Sequence, residues 1–177
     1  EAGPVVKVID FGIAKALDSR NLEETNATQM GQMIGTFEYM SPEQADLSSM
    51  RVDTRSDIYS LGVLLYQLLT GSPPITKEYL LREGIHQVLK QIHLNDPKRP
   101  SSQLAKGLVM TNKDLDWIVL QALAKDPSSR YDSAKEFSEE INCYRNGDAV
   151  NAHPPSVSYR MRKLLRRNQT TAIVCST

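Results

Sequence analysis

Long hydrophobic runs are missing from this 177-residue chain. No stretch approaches the roughly 20 apolar residues that a membrane-spanning helix needs. Cysteine is scarce: Cys143 and Cys175 are the only two. That excludes a disulfide framework and the paired spacing of a zinc site, and it points to a reducing compartment. An excess of one charge sign is also missing. Lys plus Arg equals Asp plus Glu at 21 each, so the chain as a whole has no bias toward nucleic acid. No internal repeat, low-complexity tract or signal-peptide pattern is visible. The chain begins without Met a few residues before a strand pattern, and the expectation is that it is cut from something longer.

What is present suits one ordinary domain: 40% hydrophobic and 24% charged residues. Val5, Val6, Val8 and Ile9 form a β-branched run that reads as a short buried strand. It ends on Asp10-Phe11-Gly12, which by itself is either a turn or a carboxylate held for a metal. Residues 14–36 are polar and aperiodic and read as a long loop, with Ser19, Thr25, Thr28 and Thr36 in it. A short helical turn is expected after Pro42.

The strongest helix pattern covers residues 54–70, with Ile58, Leu61, Leu64, Leu65, Leu68 and Leu69 at helical spacing. Residues 54–57 read as its capping box, and Gly71 with Pro73-Pro74 as its stop. Gly62 costs about 1 kcal/mol relative to Ala in a helix, which a close backbone approach would offset. A second helix is expected over 76–93, with Leu81, Ile85, Val88, Leu89 and Ile92 on one face. A third covers 113–125, placing Leu115, Ile118, Val119, Ala122 and Leu123 inward, and Asp126-Pro127 ends it. A fourth starts near Ser133 with Ala134, Phe137, Ile141 and Tyr144 as its stripe, and stops at Asn146-Gly147. His153-Pro154-Pro155 reads as a linker to a last, basic helix with Val157, Met161, Leu164 and Leu165 on one side. Trp117 reads as core. His86 and His93 have no partner cluster that would make them metal ligands. The fold class is mainly α with one short N-terminal strand.

Four motifs then fall in order: Asp10-Phe11-Gly12, Gly35-Thr36 through Ser41-Pro42-Glu43, Asp57-Ile58-Tyr59-Ser60-Leu61-Gly62, and Asp126-Pro127-Ser128-Ser129-Arg130. Together they resemble the C-terminal lobe of a protein kinase, most closely the bacterial eukaryotic-like serine/threonine kinases. The resemblance divides the chain into a partial kinase domain, 1–147, and a linker with a basic amphipathic helix, 148–177. It implies that Asp10 holds the Mg²⁺ that bridges ATP phosphates, that Phe11 packs to set the active or inactive position, and that Gly12 frees the backbone for that swing. It implies an activation loop phosphorylated at Thr28 or Thr25, with Ser19 as a competitor. Thr36 would contact the catalytic aspartate and favour Ser/Thr substrates. Glu43, in Ser-Pro-Glu where the family usually has Ala-Pro-Glu, would pair with Arg130. Asp57 would brace the catalytic loop, though a carboxylate in a first helical turn is favourable without any such role.

Several kinase parts do not occur in these residues: a Gly-x-Gly-x-x-Gly loop, a Val-Ala-x-Lys strand and a His-Arg-Asp loop. The expectation is that they lie upstream, that the parent is an ATP- and Mg²⁺-dependent kinase acting on protein substrates, and that this chain alone is silent. The helix over 54–70 would then lack the partner helix that normally precedes the catalytic loop, and an uncovered apolar face invites association. The competing reading is a non-catalytic, pseudokinase-like lobe that binds a partner through residues 76–110 and the basic tail. The basic run from Tyr159 to Arg167 reads as a solvated helix packed on the domain or as a polybasic segment at a membrane surface. Ala172-Ile173-Val174-Cys175 would begin a transmembrane span continuing past residue 177. The location expected is cytoplasmic, with the parent anchored in the inner membrane.

Overall fold

A computed structural model describes residues 37–46, 53–104 and 113–174. The strand pattern over 5–9 lies outside them, and the described residues contain helices and turns but no strand. In chain order the helices are α1 (Pro42–Ala45), α2 (Thr54–Thr70), α3 (Lys77–Glu83), α4 (Ile85–Leu94), α5 (Asp114–Ala122), α6 (Ala134–Arg145) and α7 (Val157–Val174). Short 3-10 turns lie at Pro100–Ser102 and Pro127–Ser129.

Helix α2 is the organising element. Its cap is Asp53, one residue before the expected box, whose carboxylate accepts from the Arg55 amide at 2.8 Å. Its end is the expected one: Gly71 takes a left-handed φ of 85° and donates back to the Gln67 carbonyl at 2.8 Å. The face it buries differs from the one the leucine periodicity suggested. Ile58, Tyr59, Gly62, Val63 and Tyr66 point inward, whereas Leu61, Leu64 and Leu68 are exposed. The aromatic rings carry more apolar area per residue than leucine, so the face that holds them is the one worth covering.

Gly62 explains how closely α2 meets α5. A Cβ built there would lie 2.8 Å from the Ala122 Cβ and 3.2 Å from a Leu123 methyl. Both partners belong to the inward face expected for α5, where Leu115, Ile118, Val119, Ala122 and Leu123 are all buried. One cluster joins Ile58, Leu115, Ile118, Tyr131, Phe137, Val150 and Tyr159, and a second joins Tyr59, Val63, Tyr66, Val119 and Leu123. A third, separate cluster packs Phe37, Met40 and Ala45 against Val88 and Ile92 of α4.

The single helix expected over 76–93 is two. Gly84 sits at φ 80°, a left-handed position that interrupts the helix and separates α3 from α4. Leu81 consequently leaves the shared stripe and is exposed, while Val88 and Ile92 are buried. Trp117 is half-buried rather than core. Its ring meets His153 edge-on at 5.7 Å, and the Arg99 guanidinium lies 5.1 Å from its centroid. In α6, Phe137 is buried and Ala134 is exposed. No helix among the described residues is long and apolar enough to cross a membrane.

Candidate functional site

Pro42 starts α1, and the Gln44 side chain turns back to accept from both the amide and the hydroxyl of Ser41, each at 3.0 Å. This fixes a four-residue helix whose only charged side chain, Glu43, faces inward. On the other side of the core, Asp126 accepts from the Ser128 amide at 2.9 Å and from its hydroxyl at 2.6 Å. The resulting 3-10 turn delivers Arg130, which is 4% exposed. The two charges meet head to head. Arg130 donates from Nη1 to Glu43 Oε1 and from Nη2 to Glu43 Oε2, both at 2.7 Å.

Every other polar position around this pair is occupied as well. Ser56, in the first turn of α2, donates its hydroxyl to Glu43 Oε1 at 2.6 Å. Arg130 also donates to the carbonyls of Ala124 at 2.8 Å, Arg55 at 2.9 Å and Lys125 at 3.3 Å. Its guanidinium lies 5.0 Å from the Tyr59 ring centroid. One buried guanidinium thus ties α1, the start of α2 and the end of α5 together. Burial by itself would raise the Glu43 pKa, but hydrogen bonds from Arg130 and Ser56 and the Arg130 charge outweigh it and hold the carboxyl at about 2. Burial pushes the Tyr59 phenol up to about 12 against the opposing pull of Arg130. Among the described residues no buried side-chain nitrogen or oxygen lacks a hydrogen-bond partner.

Two further carboxylates that the sequence did not single out are buried and structural. Asp116 accepts from the Ser101 amide at 2.8 Å and its hydroxyl at 2.6 Å, which fixes the loop before α5. Glu140 of α6 accepts from the Asn151 amide at 3.0 Å, the Asn151 side chain at 2.8 Å and the Ala152 amide at 3.1 Å. Local pattern hides both, because an acidic residue on a helix normally reads as its solvent side.

The remaining site residues are distributed unevenly. Asp57 stands exposed on α2, in line with Leu61, Leu64 and Leu68 at successive turns. Asp10, Phe11, Gly12, Ser19, Thr25, Thr28 and Thr36 lie outside the described residues. Among the described residues no three or more His, Cys, Asp or Glu come together in a group able to hold a metal ion. Asp10, a hard oxygen donor of the kind Mg²⁺ takes, therefore rests on its sequence motif.

Comparison with known proteins gives a consistent result. The model of the protein kinase domain matches residues 1–140. The serine/threonine-protein kinase PknB of Mycobacterium tuberculosis is 44% identical over 148 residues, which is 83% of this chain and 21% of that protein. A probable PknB of Bifidobacterium longum is 41% identical over 143 residues, 81% of this chain and 19% of its own length. A probable serine/threonine-protein kinase of Streptomyces coelicolor is 40% identical over 147 residues, 83% of this chain and 20% of its own. The chain spans about a fifth of the length of these curated relatives.

Proposed function

Because this chain belongs to the protein kinase family, we propose that the whole protein transfers the γ-phosphoryl group of ATP to serine or threonine hydroxyls of protein substrates, with Mg²⁺ as its metal. When bound, the ion neutralises charge on the phosphate oxygens. The chain's own contributions are positional. Asp10 supplies the anionic oxygen that holds the metal, and Phe11 and Gly12 set and release its position. Thr36 orients toward the catalytic aspartate. The segment between Gly12 and Ser41 is the activation loop, ordered by phosphate on Thr28 or Thr25. Asp57 braces the catalytic loop.

The observation that carries this reading is the Glu43–Arg130 pair. Two residues 87 positions apart in sequence, each from a different family motif, meet in a bidentate buried contact. That pair pins the C-terminal end of the loop segment to the helical body, so a loop phosphorylated near its middle has a rigid anchor at that end. The kinase portion, the C-terminal lobe, occupies 1–147, and the linker with its basic helix occupies 148–177. The basic run 159–167 lies beside a membrane surface, with the kinase portion cytoplasmic and the whole protein anchored in the inner membrane.

Radiolabel transfer from ATP by the whole protein tests the proposal. Label is expected on serine and threonine, and chelation of the metal is expected to abolish it. Asp10→Ala is expected to reduce the rate by about a hundredfold or more, the scale of removing one preorganised electrostatic group. Transfer at the normal rate by that variant would end the assignment of Asp10. The 177-residue chain alone, which has no Gly-rich loop, no Val-Ala-x-Lys strand and no His-Arg-Asp loop, is expected to incorporate no label above background. Mass spectrometry of the active protein is expected to find phosphate at Thr28 or Thr25; an active protein with neither modified removes that part.

A further inference from the structure

Helix α7 is held to the body through Tyr159 and Lys163, in its first two turns. Tyr159 is buried, its ring lies parallel on His153 at 3.8 Å, and its hydroxyl oxygen accepts from the Val150 amide at 3.1 Å. One turn on, the Lys163 ammonium reaches the Asp114 carboxylate at 2.6 Å. At about 100° per residue, Tyr159 and Lys163 share one face of the helix, and Val157, Met161, Leu164 and Leu165 fall on the opposite one, within an arc of roughly 100°. Those four side chains are 82%, 54%, 49% and 59% exposed. The helix therefore packs on the body, but with its apolar ridge turned away from it. Rotating the ridge inward would break the Lys163–Asp114 contact and unstack Tyr159.

The flanks of the ridge are cationic. Arg160 lies on one side of it and Arg162 on the other, and both are exposed. All 21 acidic residues of the chain precede residue 149, whereas five of its 21 basic residues follow it. A narrow apolar ridge with a guanidinium group on each flank fits a flat anionic surface: the apolar side chains enter the boundary and the arginines reach sideways to head groups. We infer that the Val157/Met161/Leu164/Leu165 face of α7 seats in the head-group boundary of an anionic bilayer while its Tyr159/Lys163 face stays clasped to the body. This rests on the membrane-surface reading of the basic run and deepens it from general attraction to a defined face. The clasp then holds the helical body at one orientation to the bilayer instead of leaving it on a flexible tether.

The test is co-sedimentation of the 177-residue chain with vesicles of neutral phosphatidylcholine, or of phosphatidylcholine with phosphatidylglycerol, across a salt series. Binding is expected to the anionic vesicles and to weaken with salt. Met161→Asp with Leu165→Asp is expected to lower the partition coefficient by about tenfold or more, as is Arg160→Glu with Arg162→Glu. All four positions are exposed, so the helical circular dichroism and urea midpoint should not move. Loss of binding in the arginine variant, with the Met161/Leu165 variant unaffected, overturns the defined face and leaves the polybasic reading standing. Absence of binding to anionic vesicles overturns both. Equal binding to neutral vesicles, or a chain that is oligomeric without lipid and made monomeric by Met161→Asp with Leu165→Asp, also overturns the inference, the latter by making the ridge a protein contact. Kinase activity enters none of these readouts.

Discussion

Glu43 and Arg130 are the residues whose loss should be felt most, because each would strand the other's charge out of water. Glu43→Gln is expected to destabilise the fold by about 3–5 kcal/mol in urea unfolding. The double variant with Arg130→Met should recover part of that cost, and a strictly additive cycle would mean the pair is not coupled. The pair also sets a pH dependence. The folded Glu43 pKa of about 2 lies below its ordinary 4.5. Its contribution is therefore fully present above 4.5 and is lost as pH falls toward 2. Acid unfolding of the Glu43→Gln variant should be shallower than that of the parent chain over this window. Gly62 makes an opposite kind of demand. Ala would gain about 1 kcal/mol of helix propensity. The Ala122 Cβ at 2.8 Å is fixed to the backbone and cannot step aside, so the helices must part, at about 1–3 kcal/mol. Gly62→Ala is expected to lower the urea midpoint, and an unchanged or raised midpoint would show that α2 and α5 separate freely.

At the scale of elements, the joints matter more than the helices. Gly84 separates α3 from α4 at φ 80°, with nothing within 4 Å of an added Cβ. Gly84→Ala should therefore be unfavourable through backbone strain alone, by about 1 kcal/mol, and it should not change the packing of Val88 and Ile92. The joint between α6 and α7 depends on two buried acceptors, Glu140 and the Tyr159 hydroxyl. Tyr159→Phe keeps the ring on His153 but leaves the buried Val150 amide without its acceptor, at about 1–3 kcal/mol. Trp117, the chain's single tryptophan, meets His153 edge-on beside that stack. Its fluorescence should report α7 loosening in that variant before global unfolding. A single coincident transition in fluorescence and circular dichroism would show instead that α7 does not loosen separately.

Across the described residues, α2 carries a second exposed apolar line besides the ridge of α7. Leu61, Leu64 and Leu68 form an exposed line along α2, and Leu68 is 70% exposed. Burying such a side chain is worth about 1.5–3 kcal/mol, so three in a row favour association. The isolated chain is expected to self-associate in analytical ultracentrifugation, and Leu61→Gln with Leu64→Gln and Leu68→Gln to make it monomeric without loss of stability. If that variant associates as the parent does, the line on α2 is not the contact.

The sequence by itself determined the positions of most helices, the start near Ser133, the stop at Gly71 and the close approach at Gly62, because these follow from local chemistry and spacing. It also carried the family, through short motifs in a fixed order. The Glu43–Arg130 pairing was legible only through that likeness, since no local pattern links residues 87 apart. Only the tertiary structure decided which faces are covered. Periodicity says which residues share a side of a helix, but not which neighbour arrives there. Hence Tyr59, Val63 and Tyr66 are inside while Leu61, Leu64 and Leu68 are not, and α7 docks by a tyrosine and a lysine with its leucines outward. The break at Gly84 is of the same kind: a glycine is permitted in a helix, and the competing packing of Val88 and Ile92 against Phe37 and Met40 decides that the chain turns there.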